Sequence, residues 1–347
     1  MSNEQCNSKT PVPGPQSPVP VFLLDGLGRT IDYLRVSVTD RCNLRCLYCM
    51  PNEGVGWMPH DDILRFEETL RICRVLAGLG IKSVRVTGGE PLLRRGLAGF
   101  IRELKAVDGI NQIGLTTNGV LLGEQLEGLA KAGLDAVNIS INTMDREKFT
   151  RLTRTESMVN VVSVIDQALE MGFEVKVNTV MIRGFNEDEI TVIAGLAKSR
   201  NIAARFIELM PLGEAASFKP FYAHEAAALI ERAYGSLLPV DAKLGNGPAE
   251  YYAIAGFAGH IGFISPMSRR FCKSCNKLRL TASGFLKLCL SGEQGVDLRG
   301  LVRGSASDEE ISGLLREQIA LKPAGHSFDE SNGAENGDSV NMFRIGG

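Results

Sequence analysis

The stretch "YLRVSVTDRCNLRCLYCMP", residues 33–51, runs out of a strand-like segment into a loop that carries three thiols. Leu34, Val36 and Val38 alternate with Tyr33, Arg35 and Ser37, the period-two pattern of a strand with one apolar face. Cys42, Cys46 and Cys49 follow, spaced C-x3-C-x2-C, with no fourth cysteine or histidine close behind. Further strand-like runs are "SVRVTGG" (83–89), "NQIGLTTNG" (111–119), "DAVNISIN" (135–142), "FEVKVNTVM" (173–181) and "AARFIELM" (203–210). Helical patterns separate them, over 67–79, 96–107, 123–132, 159–171 and 188–199. Strands alternating with helices predict a parallel sheet with right-handed crossovers. No G-x-G-x-x-G opens a helix after the first strand, which disfavours a dinucleotide-binding fold. The expected fold is α/β, an open or partial (β/α) barrel. Its thiol loop lies at the strand ends where such barrels place their chemistry.

After residue 212 the rhythm changes. A helix over 223–234 precedes the short pieces "YYAIAG", "HIGFIS" and "KLRLTASGFLKL", in which Ser283-Gly284 marks a hairpin turn. A helix over 307–319 and a Gly/Asn/Ser-rich tail end the chain. The expected division is a disordered extension over 1–20, rich in Pro, Ser, Asn and Gln, a barrel core over 21–212, and a smaller α+β appendage over 213–347 packed on the barrel.

With 347 residues, 44 % of them hydrophobic, the chain can bury a substantial core. No apolar run approaches a bilayer span and the N-terminus lacks a signal-peptide profile, so a cytoplasmic location and no membrane partner are expected. A formal net charge of −2 argues against wholesale nucleic-acid binding and leaves any basic site local.

Six of the eight cysteines fall into two groups of three. In a reducing compartment such groups read as metal ligands rather than disulfides. Cys6, in the polar N-terminal stretch, and Cys73, inside the first helical pattern, read as a tail residue and a buried helix residue. For Cys42, Cys46 and Cys49, an iron–sulfur cluster and a zinc ion borrowing a distant ligand both stay open. The second group, Cys272, Cys275 and Cys289, is C-x2-C-x13-C; its hairpin can bring Cys289 beside the pair, and a zinc knuckle is equally open there.

Alternation also assigns the barrel interior. Arg35, Arg85 and Lys176 share faces with Ser37, Thr87 and Asn178, opposite valines suited to helix packing. No matching inward Asp or Glu is expected on those three strands. Buried cations without partners cost several kcal/mol each, so a polyanionic ligand such as a triphosphate is the economical partner.

The C-x3-C-x2-C loop with Tyr48 before its last cysteine, followed by "TGGEP" after the second strand, resembles the radical S-adenosylmethionine (SAM) superfamily. The resemblance implies a 4Fe–4S cluster on Cys42, Cys46 and Cys49, whose fourth iron is chelated by SAM, and a 5′-deoxyadenosyl radical as the reactive species. It also implies SAM contacts at Tyr48, Gly89, Ser140 and Met210. With C-x2-C-x13-C, "CNKLRLT" and a chain end in Gly346-Gly347, the sequence from Leu34 to Gly347 is similar to the GTP 3′,8-cyclases, the MoaA family of molybdenum cofactor biosynthesis.

That resemblance implies a partial (β/α)6 TIM-like barrel of the radical SAM type, with an appendage carrying a second 4Fe–4S cluster that holds the guanine of GTP. The implied GTP contacts are Arg35, Arg85, Thr116, Lys176, Lys277 and Arg279, and the implied active-site tail is Gly346-Gly347. The implied partners are GTP, an electron donor and cyclic pyranopterin monophosphate synthase, acting on a monomer or homodimer. The sequence departs from the family pattern at Lys277, where Arg is expected, and at Asn142, where Asp is expected. His60, His224, His260 and His326 match no role. A peptide-modifying radical SAM maturase would usually carry more auxiliary cysteines. A zinc-stapled interaction protein with a Gly-Gly end would not need so large a barrel or so charged an interior.

Overall fold

Alternating valines and isoleucines give six strands: β1 (Tyr33–Ser37), β2 (Ser83–Thr87), β3 (Gln112–Thr117), β4 (Ala136–Ser140), β5 (Glu174–Met181) and β6 (Ala203–Glu208). They pair in parallel, in chain order. The computed structural model describes residues 22–241, 244–326, 328 and 342–345. The 1–20 extension, Cys6 and Gly346-Gly347 lie outside the described residues.

Helices cover the outer face: α1 (Phe66–Leu79), α2 (Leu97–Lys105), α3 (Leu122–Lys131), α4 (Arg146–Thr153), α5 (Val161–Glu170) and α6 (Ile190–Gly195). Val36, Val84, Val86, Ile139, Val175 and Val177 are buried in the core between sheet and helices, and Cys73 joins them from α1. α1 begins with a capping box in which Glu68 accepts from Arg65 N at 2.7 Å, and ends at Gly80, whose φ of 122° stops the helix. α4 was not expected. Its sequence "REKFTRLT" has no apolar stripe; Asp145 caps it by accepting from Lys148 N at 2.7 Å, and only Leu152 and Thr153 are buried.

The C-terminal region contributes α7 (Ala223–Tyr234), β7 (Leu238–Val240), β8 (Glu250–Ala253), β9 (His260–Ile264), β10 (Lys277–Leu280), β11 (Phe285–Lys287), β12 (Gly295–Asp297), α8 (Arg299–Arg303), α9 (Asp308–Ala320) and α10 (Met342–Ile345). Its strands do more than pack on the barrel. β10 pairs in parallel with β1, and β9 in parallel with β6, so one twelve-stranded sheet runs β12-β11-β10-β1-β2-β3-β4-β5-β6-β9-β8-β7. The second cysteine group, which flanks β10 and β11, is thereby placed next to the strand that leads into the first.

Candidate active site

The first thiol loop is shaped by hydrogen bonds from outside it. Arg45 N and Leu47 N donate to Thr153 O and Leu152 O at 2.9 Å each, so the end of α4 holds the middle of the loop. Cys49 N donates to Cys46 O at 2.9 Å, closing a turn that brings the last two thiols together. Gly88 and Gly89 pack on the backbone of residues 39–41. A Cβ on Gly89 would stand 2.3 Å from Arg41 O, and one on Gly88 would stand 2.7 Å from Thr39 O. The close approach these glycines serve is therefore to the thiol loop itself. Glu90 completes the support by accepting from Asn118 N and Thr117 Oγ1 at 2.8 Å each. Burial pushes its carboxyl up to about 7 despite those donors.

Asn142 explains its own departure from the expected Asp. Its Nδ2 donates to Tyr48 Oη at 2.8 Å, and its Oδ1 accepts from Val180 N at 2.8 Å, a donor-and-acceptor task that fits an amide. The Tyr48 hydroxyl in turn meets Cys46. Burial, then the neighbouring Cys42, pushes the Cys46 thiol up to about 12, and burial with both other thiols raises Cys49. Three half-buried thiols that repel one another on ionising are best held as thiolates around a cationic centre.

Deeper in, the strands carry cations in register. Arg279, Arg35 and Arg85 stand side by side on β10, β1 and β2, and Lys277 is level with Tyr33 in the next row. Arg85 donates from Nε to Tyr33 Oη at 3.1 Å and from Nη1 to Leu115 O at 3.3 Å. Its guanidinium lies where a Cβ on Gly114 would be, 2.4 Å from Cζ. Burial pushes the Tyr33 phenol up, but Arg85, Arg35 and Lys277 outweigh it and bring it down to about 7. Burial, then Arg35, lowers Arg279 to about 9, while burial lowers Lys277 to about 8. Lys277 Nζ also sits 5.0 Å over the Phe271 ring.

One expectation needs correction, and one residue was missed. Glu174 is an inward carboxylate on β5 that the sequence reading left out. Its Oε1 lies 2.5 Å from Lys176 Nζ, an ion pair at the edge of the interior. Arg205 on β6 was missed altogether. It is 5 % exposed, faces the same interior, and donates from Nε to Asn178 Oδ1 at 2.8 Å. The alternation of "AARFIE" carried that signal. Thr116 Oγ1 and Asn138 Oδ1, neighbours in register, are buried without a hydrogen-bond partner among the described residues.

All these groups face one cavity. Cys42, Cys46, Cys49, Tyr48, Gly89, Ser140, Met210 and Thr116 line it, as do Arg35, Arg85, Lys176, Arg205, Lys277 and Arg279. Cys272, Cys275 and Cys289 line it too, with Lys322 and His326, which sequence reasoning left without a role. Among the described residues, Glu208 is the one carboxylate on this wall, and it is spent on Ala223 N, Met267 N and Ser268 N. α10, just before Gly346-Gly347, brings Met342 and Phe343 to the wall, with Phe343 edge-on to Trp57 at 6.3 Å.

Among the described residues no group of three or more His, Cys, Asp or Glu is gathered for a single metal ion. A tetrahedral zinc ion would draw thiolate sulfurs to about 3.8 Å of one another, from Zn–S bonds of about 2.3 Å. A polynuclear cluster meets each thiolate at a separate iron and suits three thiols spread on a cavity wall. At the second group burial raises Cys275, but Lys322, Lys277 and Arg279 outweigh it and bring the thiol down, favouring the thiolate. Both donor sets fit iron–sulfur clusters.

The profile described as the Radical SAM superfamily matches residues 36–197, and that described as Molybdenum Cofactor Synthesis C matches residues 202–328. A GTP 3′,8-cyclase of Pelotomaculum thermopropionicum is 45 % identical over 327 residues, covering 93 % of this chain and 99 % of that protein. One from Thermodesulfovibrio yellowstonii is 46 % identical over 307 residues, covering 87 % and 95 %. Among solved structures, Streptococcus suis SuiB bound to S-adenosylmethionine superposes with a TM-score of 0.56 at 14 % identity, covering 87 % of this chain and 77 % of that one. That likeness shows the fold alone. The chain belongs to the GTP 3′,8-cyclase family and is a radical SAM enzyme.

Proposed function

We propose that the chain, as a member of that family, binds GTP with its triphosphate on the cation floor and its guanine towards the second thiol group. The product is (8S)-3′,8-cyclo-7,8-dihydroguanosine 5′-triphosphate, made in the first step of molybdenum cofactor biosynthesis. The observation that carries this reading is the charge imbalance of the interior: six cations from five strands, against Glu208, already spent on backbone donors, and the half-exposed Glu174, paired with Lys176. Like charges side by side are destabilising, so a polyanion laid across the row Arg279–Arg35–Arg85 would relieve their mutual repulsion.

Cys42, Cys46 and Cys49 would hold one 4Fe–4S cluster, and Cys272, Cys275 and Cys289 the other. With SAM bound, the first would supply the electron that cleaves SAM to methionine and a 5′-deoxyadenosyl radical, the species that would take hydrogen from ribose C3′ and so allow C3′ to bond to guanine C8. The chain's own residues set the geometry. Tyr48, Gly89, Ser140 and Met210 seat SAM beside the thiol loop. Arg35, Arg85, Lys176, Arg205, Lys277 and Arg279 fix the phosphates, with the orphaned Thr116 Oγ1 and Asn138 Oδ1 as further polar contacts. Gly346-Gly347 would enter the same cavity from α10. Arg279 can grip a phosphate through two parallel hydrogen bonds, whereas Lys277 offers a point charge.

The reading implies a cytoplasmic enzyme divided into a core over 21–212 and a C-terminal region over 213–347, supplied by a one-electron donor. Its product would pass to cyclic pyranopterin monophosphate synthase. Among the described residues no helix is long and apolar enough to cross a membrane. The test is anaerobic incubation with SAM, a reductant and each nucleoside triphosphate in turn, scoring 5′-deoxyadenosine and cyclised product. GTP alone should yield both; equal turnover of ATP would overturn the assignment of the guanine site.

A further inference from the structure

The second thiol group is tied together by two buried cations, Lys322 and Arg29. β10 and β11 form a hairpin in which Arg279 is level with Lys287 and Leu280 with Leu286. Continuing that register sets Lys277 opposite Cys289, so the open mouth of the hairpin is where Cys275 and Cys289 leave it. Lys322, just past α9 and 4 % exposed, closes the mouth. Its Nζ donates to Lys277 O at 2.8 Å and also to Leu288 O. One ammonium thus bridges the carbonyl two residues after Cys275 and the carbonyl one residue before Cys289.

Lys322 is itself held from the other side. Arg29 is buried and paired with Asp25, Nε to Oδ2 at 2.5 Å. Its two terminal nitrogens are spent on carbonyls: Nη2 on Pro323 O at 2.7 Å and Lys322 O at 3.3 Å, Nη1 on Cys272 O at 2.8 Å and Ala324 O at 3.3 Å. The first cysteine of the group, and the segment bearing Lys322, therefore hang on one guanidinium. A lysine in this environment is expensive. It is buried, its ammonium is bonded to carbonyls rather than to a carboxylate, and Arg29 is close by. An apolar residue would fill the space without the desolvation cost, unless negative charge gathers on the cavity side, where Cys275 and Cys289 lie.

We infer that Lys322, seated by Arg29, is a positioning residue for the second cluster: it clamps the segments carrying Cys275 and Cys289 and sets a fixed positive charge against their thiolates. This rests on the reading of Cys272, Cys275 and Cys289 as cluster ligands. A fixed cation beside a cluster favours its reduced form, which carries one more negative charge, and so raises its potential.

The test uses the full chain, purified anaerobically, as parent, Lys322→Met and Lys322→Gln. Iron and sulfide per chain, the electron paramagnetic resonance signal of each cluster, and the midpoint potential of the second cluster are measured. The first cluster serves as the control for folding. The parent should hold about eight iron atoms, two 4Fe–4S clusters. Lys322→Met should fall to about four, keeping the first signal and losing the second. Lys322→Gln, whose amide can still donate to the carbonyls, should keep the second cluster at a more negative potential. A Lys322→Met protein with both clusters at the parent's potential overturns the inference, as does loss of both clusters together or a Lys322→Gln protein with the parent's potential. A parent with only four iron atoms instead overturns the reading of the second site itself.

Discussion

Lys176 gives the proposed triphosphate floor its sharpest test, because one side chain should weaken the free protein and strengthen the complex. It is 1 % exposed on β5, with Glu174 at the half-exposed rim as its ion-pair partner. Burial, then repulsion from Arg205, lowers its ammonium from 10.5 to about 8, with Glu174 offsetting only part of this. At about 1.4 kcal/mol per pH unit, holding the charge in the folded state costs about 3 kcal/mol. The sign follows from the base being harder to protonate when folded. The cost is present in full below pH 8 and fades as pH rises towards 10.5, where the unfolded chain also loses its proton. Lys176→Met fills a similar volume without charge, and Glu174 is exposed enough to turn to water. Free Lys176→Met protein at pH 7 should therefore be more stable than the parent by about 3 kcal/mol, while losing most of the stabilisation that GTP confers. Denaturant unfolding under anaerobic conditions, with and without GTP, at pH 7 and pH 10, reads both quantities. The difference between the free proteins should shrink at the higher pH. A variant less stable than the parent at pH 7, or one that GTP stabilises as well as the parent, would refute the argument.

Arg205→Leu should weaken GTP binding at least tenfold by calorimetry while leaving SAM binding unchanged, since Arg205 lies on β6 with Asn178 and not on the thiol loop. Gly114→Ala keeps every cation but puts a methyl group into the Arg85 guanidinium. It should raise the Kd for GTP with no loss of iron, and normal affinity would show that Arg85 can act from another position. Asn142→Asp should be tolerated in folding, because the Tyr48 hydroxyl, which now accepts from the amide, can turn its proton from Cys46 to the carboxylate. Asn142→Ala leaves Tyr48 and Val180 N without that partner and should cost about 1–3 kcal/mol in unfolding experiments.

The strands and most helices were legible because their signal is local. Each barrel strand turns apolar side chains outward at period two, and each long helix shows an apolar stripe. α4 has no such stripe, and its reason for existing lies elsewhere, in the carbonyls of Leu152 and Thr153 that hold the thiol loop. Its cap residue Asp145 was readable, but a cap without an amphipathic run is a weak sign. The joining of β10 to β1 was also hidden. Two segments at opposite ends of the chain pair through backbone groups that every residue possesses, so composition says nothing about which strand neighbours which.

The same distinction divides the site. Arg35, Arg85 and Lys176 could be assigned to the interior from alternation, and Arg205 could have been by the same rule. Alternation names a face; it does not say which residues on that face are level. Register does. Adjacent strands lie about 4.8 Å apart, so Arg279, Arg35 and Arg85 become a contiguous cationic row only because β10, β1 and β2 pair as they do. The next strand could have crowded that row. Instead β3 presents Gly114 level with Arg85, and β4 presents Ala136 level with Gly114. Those two small residues have no chemistry of their own and would not be selected from the sequence as site residues. Yet the guanidinium of Arg85 occupies the volume a side chain at 114 would take, so the absence of that side chain helps make the anion site.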